Sequence, residues 1–324
     1  MFSQRVFSYS GVVTGVALVG AFVAGACGRP IYLTSPRNPA TLERPASRVT
    51  DNVIVVSIDG LRPDAIAAFK APTLQRLIDE GSYTLSATTI LPSKTLPSHT
   101  SMLTGEPPDR HGVLWNNAIE DQPGTIEIPT IFGVAREHGY STAAFFSKSK
   151  FSHLQQPGTL DYTQAPGGWF GKWSGSQTMG DVERYLLEAK PNLLFVHLTD
   201  PDSAGHASGW MSAGYGKGVL KADAAMARLI AASDIAFGAG QYTLIVTADH
   251  GGHGYGHGSD DPRDVTIPWI AWGEGVKRGR LIEWKVQTMD TASTTLFLLG
   301  LDRPSGWSSS PVVGAFGASD PPQR

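Results

Sequence analysis

Apolar positions along the chain fall into two patterns that alternate. Residues 52–59, NVIVVSID, form a continuous apolar run of the kind buried on both faces of a parallel sheet, whereas residues 72–81, PTLQRLIDEG, have helical spacing closed by a glycine. The alternation continues with strand-like YSTAAFFS (140–147), helical DVERYLLEAK (181–190), strand-like NLLFVHL (192–198) and a helical region around KADAAMARLIAASD (221–234). It then passes through the strand-like runs YTLIVTA (242–248) and VTIPWIAW (265–272) to DTASTTLFLLG (290–300). Strands alternating with helices predict an α/β fold with a doubly wound, mostly parallel central sheet and helices on both faces. Ligands of such sheets sit beyond the carboxyl ends of the strands, where Asp59, Asp200, Asp202, Asp249 and His250 fall.

The flanks depart from this pattern. Arg5 is followed by an uncharged stretch from Val6 to Gly28 with an apolar heart, then Ala24-Gly25-Ala26-Cys27, so residues 1–27 read as a secretory signal. Small residues leading into a cysteine resemble the bacterial lipoprotein signal, with Cys27 as the lipidated anchor; an uncleaved membrane anchor and a plain signal peptide are the alternatives. A location outside the cytoplasm is expected, on the periplasmic or extracellular side and tethered to the membrane. Residues 28–51 are rich in Pro, Arg, Ser and Thr and read as a tether, which leaves 52–324 as the catalytic domain. Within it, residues 155–179 are rich in Gly, Trp and Ser without a clear period and read as a loop-rich cap over the site.

Composition narrows the chemistry. With 324 residues, 41% hydrophobic and 17% charged, the chain can bury a large core. Its net charge of -3 gives no basic excess for a nucleic-acid polymer or an anionic membrane, so an anionic substrate must be held by local features. Cys27 is the only cysteine, so a metal site must be built from imidazole and carboxylate.

Those ligands cluster. DPDSAGH sets Asp202 and His206 four residues apart, and TADHGG sets Asp249 beside His250, with His253 and His257 following in GGHGYGHGSDD. Oxygen and nitrogen donors of this kind suit zinc, and with Asp59 they would fill two sites. Two such ions can clamp both oxygens of an in-line phosphoryl displacement. In LPSKTLPSHTSMLTG (91–105), hydroxyl residues precede a helical segment, which puts a hydroxyl next to free backbone N–H groups at a helix N-terminus, a ready anion site. Thr95 is the best-placed candidate nucleophile, with Ser93 and Thr100 as competitors.

Asp59 in SIDG, then PSKTLPSH, HGVLWN, PDSAGH, ADHG and HGSD, in this order, resemble the type I phosphodiesterase/nucleotide pyrophosphatase branch of the alkaline phosphatase superfamily, over a stretch from Asn52 to about Gly300. The resemblance implies two zinc ions, one held by Asp202, His206 and His257 and the other by Asp59, Asp249, His250 and Thr95. It also implies that Asn116 and the Thr95 backbone N–H donate to a non-bridging phosphate oxygen. His253 stays open between a ligand and a supporting donor, while His99 and His111 fall in matching motifs as packing residues. The expected reaction is cleavage of a small phosphodiester or nucleotide pyrophosphate: Thr95 attacks phosphorus, a leaving group departs, and the phosphothreonine is hydrolysed.

Competing readings follow from single positions. A sulfatase would carry cysteine or serine where Thr95 stands, and a phosphoglycerate mutase would carry serine and an inserted domain. A phosphomonoesterase fits the same core, turning on whether the third phosphate oxygen meets a charge or a substituent pocket; Asn116 favours the diesterase and Lys94 the monoesterase. A non-enzymatic metal-binding surface protein would have lost the nucleophile or a ligand, and none is missing.

Overall fold

The computed structural model describes residues 31–33, 44–117, 126–168 and 171–317. Residues 1–30, with Cys27 and the signal reading, lie outside the described residues, as do Trp169 and Phe170 of the proposed cap. Among the described residues no helix is long and apolar enough to cross a membrane.

One nine-stranded sheet organises the chain, in the order β1 (Ile31–Leu33), β5 (Tyr162–Gln164), β4 (Thr142–Phe145), β6 (Leu193–Leu198), β2 (Val53–Ile58), β7 (Thr243–Thr247), β8 (Thr266–Gly273), β3 (Ser82–Thr88) and β9 (Arg280–Leu281). The run β5-β4-β6-β2-β7 is parallel throughout. β8 reverses direction against both β7 and β3, and β1 pairs antiparallel with β5 at the other edge. β2, β4, β6 and β7 are buried along their whole length. Their predominantly apolar runs are what a sheet covered on both faces demands.

The covering helices form two packed groups. α1 (Pro63–Ala68), α2 (Pro72–Glu80), α6 (Gly175–Ala189), α7 (Asp200–Ser208) and α8 (Ala213–Phe237) touch one another, as do α3 (Thr95–Thr104), α4 (Pro108–His111), α5 (Ile131–Glu137) and α10 (Asp290–Leu298). α2 buries Leu74, Leu77 and Ile78, the i, i+3, i+4 stripe of its sequence, and α8 carries a longer stripe from Val219 to Ala236. The doubly wound α/β expectation is met. The sequence pattern does not reveal the reversed sense of β8, nor β3, whose Ser and Thr residues dilute the apolar alternation on a half-exposed strand.

Two segments differ from their sequence reading. The tether region contributes β1, and at residues 44–51 it docks on the domain: Val49 N–H donates to Leu298 O at 2.8 Å and the Arg44 guanidinium lies 5.1 Å from the Tyr140 ring centre. The stretch 155–179 is not loop throughout, since it supplies β5 and the first turn of α6, whose capping box joins Ser174 and Gln177. Short elements of three to five residues carry too little periodicity to announce themselves.

Candidate active site

β2 is the hinge of the site because its neighbours β6 and β7 run parallel to it, with Ile58 opposite Leu198 and Ser57 opposite Thr247. The three strands end in one line, and the residues just beyond them, Asp59, Asp202 and Asp249, converge. Asp202 N–H donates to Asp59 O at 3.0 Å, and Gly60 N–H donates to Asp249 Oδ1 at 3.1 Å. Gly60 has φ +72°, and a Cβ there would stand 2.9 Å from the Asp202 Cα, closer than real contacts allow. Gly60→Ala is therefore expected to lower both the melting temperature and turnover, with about 1–3 kcal/mol from the left-handed backbone alone; thermal melts beside rate assays check it, and an unchanged melting temperature would refute the close-approach argument.

Two groups of potential metal ligands result. Asp59, Asp249 and His250 form one and Asp202, His206 and His257 the other, with the ligand atoms of each group within 4.8 Å of one another. Their detailed geometry fits cations. The buried oxygens Asp59 Oδ1, Asp249 Oδ2 and Asp202 Oδ1 have no hydrogen-bond partner, although the second oxygen of each carboxylate is satisfied. Leaving buried carboxylate oxygens unpaired is costly unless a cation is there to meet them. Each histidine has its Nδ1 at a backbone carbonyl: His250 at Gly251 O (2.8 Å), His206 at Tyr255 O (2.9 Å) and His257 at Ser93 O (2.9 Å). A carbonyl only accepts, so Nδ1 carries the proton and the Nε2 lone pair faces the carboxylates, the arrangement of a metal-binding imidazole. His250 Nε2 lies 3.3 Å from Asp59 Oδ1 and 3.2 Å from Asp249 Oδ2, and His206 Nε2 lies 3.2 Å from Asp202 Oδ1.

Burial and neighbouring charge set the protonation states. Burial, then the His257 ring stacked 3.6 Å away, pushes His250 down to about 3, so it is neutral at pH 7. Burial, followed by the charge of Asp59, raises Asp249 well above the usual carboxylate range. Burial alone would raise Asp59 as well, but Lys148 and His197 outweigh it and hold that carboxylate well below its ordinary value.

Thr95 opens α3, with its side chain 1% exposed and Oγ1 3.5 Å from His250 Nε2. The Lys94 side chain makes no cap at this helix end. Asn116 takes that place: its Oδ1 accepts from Leu96 N–H at 3.0 Å and from Lys150 Nζ at 3.0 Å. With two donors on the oxygen, the amide is oriented and its NH2 is left free to donate. A cavity of about 350 Å³ opens over Thr95, lined also by Asn116, Lys148, Lys150, Asp202 and His257.

Every residue singled out as a ligand or nucleophile from sequence comes together here. The competing aspartate, hydroxyls and histidine are held by other partners. Asp200 Oδ2 accepts from Gly175 N–H at 2.7 Å, and Ser93 Oγ donates to Ser259 O at 2.7 Å. Thr100 Oγ1 donates to Leu96 O, and His253 Nδ1 pairs with Asp264 Oδ1 at 2.7 Å, outside both groups. Asn117 lines the cavity, whereas Lys94 does not.

The sequence pattern does not single out Lys148 or Lys150, and it reads His197 as structural or surface-exposed, whereas His197 is buried against Asp59. Lys148 Nζ donates to Asp59 Oδ2 at 2.5 Å and Asp202 Oδ2 at 2.7 Å. His197 accepts from Ser147 N–H on Nδ1, so its Nε2–H is the donor to Asp59 Oδ2 at 2.9 Å. Lys148 follows the strand-like run at 140–147, so it stands at a strand end as the aspartates do.

A family model described as type I phosphodiesterase / nucleotide pyrophosphatase matches residues 53–256. GPI ethanolamine phosphate transferase 1 of Candida glabrata is 24% identical over 288 residues, which cover 76% of this chain and 30% of the relative. Bis(5'-adenosyl)-triphosphatase enpp4 of Xenopus laevis is 25% identical over 226 residues, covering 64% of this chain and 49% of the relative. The chain thus spans half or less of these relatives' own length. Murine ectonucleotide pyrophosphatase/phosphodiesterase 5, solved as an inactive Thr-to-Ala form in complex with AMP, superposes with a TM-score of 0.66 at 16% identity, over 80% of this chain and 97% of that one. At that identity the likeness is one of fold.

Proposed function

The chain belongs to the type I phosphodiesterase/nucleotide pyrophosphatase family, and we propose that it cleaves small phosphodiesters or nucleotide pyrophosphates with Thr95 as nucleophile and two bound zinc ions. The observation that carries this reading is the ring of unpaired buried carboxylate oxygens and imidazole Nε2 atoms around the Thr95 hydroxyl. Asp59, Asp249 and His250, with Thr95, would hold one ion, and Asp202, His206 and His257 the other. Zinc bound there would lower the pKa of a hydroxyl or water and neutralise the oxygens of the transferred phosphoryl group.

The chain's own residues supply the rest. Thr95 Oγ1 attacks phosphorus in line and the leaving group departs into the cavity; water then cleaves the phosphothreonine by the same geometry in reverse. The Thr95 N–H at the start of α3 and the free NH2 of Asn116 donate to a non-bridging oxygen, the charge-stabilising role expected of them. Lys150 serves this role by pinning the Asn116 oxygen. The transferase relatives support a variant of the second step in which an acceptor other than water takes the phosphoryl group.

Lys148 and Lys150 in the cavity favour one further reading, a phosphomonoesterase, because a monoester brings an extra negative charge to the same place. Burial, then the charge of Lys148, lowers Lys150 to about 8, so it remains largely protonated at pH 7. Rates on bis-p-nitrophenyl phosphate and p-nitrophenyl phosphate, with the zinc-loaded full-length protein in detergent, separate the two. The diesterase reading expects at least about a tenfold preference for the diester, or about 1.4 kcal/mol of differential transition-state binding. A preference for the monoester would transfer the assignment to a phosphatase, and Lys150→Met should then depress the monoester rate more than the diester rate.

A further inference from the structure

Lys148 joins the two candidate ligand groups in a way the reaction scheme does not use. It follows β4, is 5% exposed, and its Nζ reaches Asp59 of one group and Asp202 of the other. Both contacts go to Oδ2 atoms, while the atoms that lack a partner are Asp59 Oδ1 and Asp202 Oδ1. The ammonium therefore grips each carboxylate by the oxygen turned away from the imidazoles of His250, His206 and His257. His197 adds a second donor on the same Oδ2 of Asp59, which restricts rotation of that carboxylate further.

We propose that Lys148 is a positioning residue that couples the two cation sites, an inference that rests on the two-cation reading of the site. One ammonium fixes which oxygen each carboxylate presents and how far apart Asp59 and Asp202 stand. A cation settling at one group thereby sets the ligand geometry at the other. The backbone bond from Asp202 N–H to Asp59 O, at 3.0 Å, is the rival route for such coupling. Supporting groups that orient metal ligands typically change metal affinity by about 10–100-fold when removed.

Zinc binding to the full-length protein, read by competition with a chromophoric chelator, tests the idea without any turnover. Wild type is expected to take two ions per chain, and Lys148→Met to bind at both groups about 10–100-fold more weakly. Lys148→Arg, which keeps charge and donors, should fall between the two. Lys148→Met leaves two buried carboxylates without their cation, so it is prepared with zinc present. If it unfolds when stripped, the rate of zinc release from loaded protein replaces the equilibrium measurement, and release should be faster by the same about 10–100-fold factor.

The coupling has its own readout. His206→Ala damages only the Asp202 group, and it should weaken the ion at the Asp59 group by about fivefold or more in wild type but not in the Lys148→Met background. Undiminished or tighter zinc binding by Lys148→Met would overturn the proposal, reducing Lys148 to a competitor for the site; so would transmission that persists without Lys148, which would assign the coupling to the backbone bond. A wild-type protein that takes fewer than two ions would instead overturn the two-cation reading itself.

Discussion

Thr95→Ala is expected to lower turnover by roughly 10³-fold or more, the scale on which losing a covalent nucleophile registers, while zinc content and melting temperature change little. The change removes Oγ1, which makes a long 3.5 Å approach to His250 Nε2, and a methyl group. The backbone N–H of residue 95, the Asn116 amide and the bond from His99 Nδ1 to the residue-95 carbonyl at 2.7 Å all survive. Phosphoprotein formation should vanish with activity: a labelled diester that marks wild type at Thr95 is expected to leave the variant unmarked. A variant retaining a tenth of the rate would refute the nucleophile assignment, and the search would turn to an activated water.

Stripping the metal should abolish activity and soften the protein at once. Asp59, Asp202 and Asp249 are 2% exposed or less, yet Lys148 is the single ammonium that reaches any of them among the described residues. Cations that bind only the folded state stabilise it by about 2.7 kcal/mol per site at a hundredfold excess over Kd, hence roughly 5 kcal/mol for two. For a domain of this size that corresponds to a rise in Tm of roughly 10 °C. Dialysis against a chelator, with rates and melting curves taken before and after adding zinc back, checks both effects. Full activity in protein that elemental analysis finds metal-free would remove the whole scheme.

Much of the fold was legible because its core strands are the simplest pattern a sequence can carry. β2, β6 and β7 are largely apolar runs, and a candidate ligand stands within four residues of the end of each, namely Asp59, Asp202 and Asp249. The candidate ligands were legible for a related reason, since carboxylates and imidazoles clustered beyond the ends of buried strands stand where ligands of such a sheet bind, although Asp200 at the same strand end serves the Gly175 N–H instead. Lys148 and Lys150 were less so. A lysine is ordinarily a solvated surface residue, and only burial between two carboxylates turns it into part of the site.

The amino-acid sequence by itself determined the α/β architecture, the set of ligands and the identity of the nucleophile candidate. These depend on local pattern and on residue chemistry, which are one-dimensional properties. The N-terminal pattern ending in Cys27 likewise belongs to the sequence alone, outside the described residues. The tertiary structure gave the physical reason the close competitors stand apart: Asp200, His253 and Ser93 are held by other partners, whereas Asp202 and His257 share a ligand group and Thr95 lies beside His250. It alone revealed that Asn116 is oriented by Lys150 and that Lys148 spans both ligand groups. Those facts join residues 34 and 89 positions apart along the chain. Lys148, Asp59 and Asp202 meet within the length of a hydrogen bond because the parallel registry of β4, β6 and β2 sets the ends of those strands side by side.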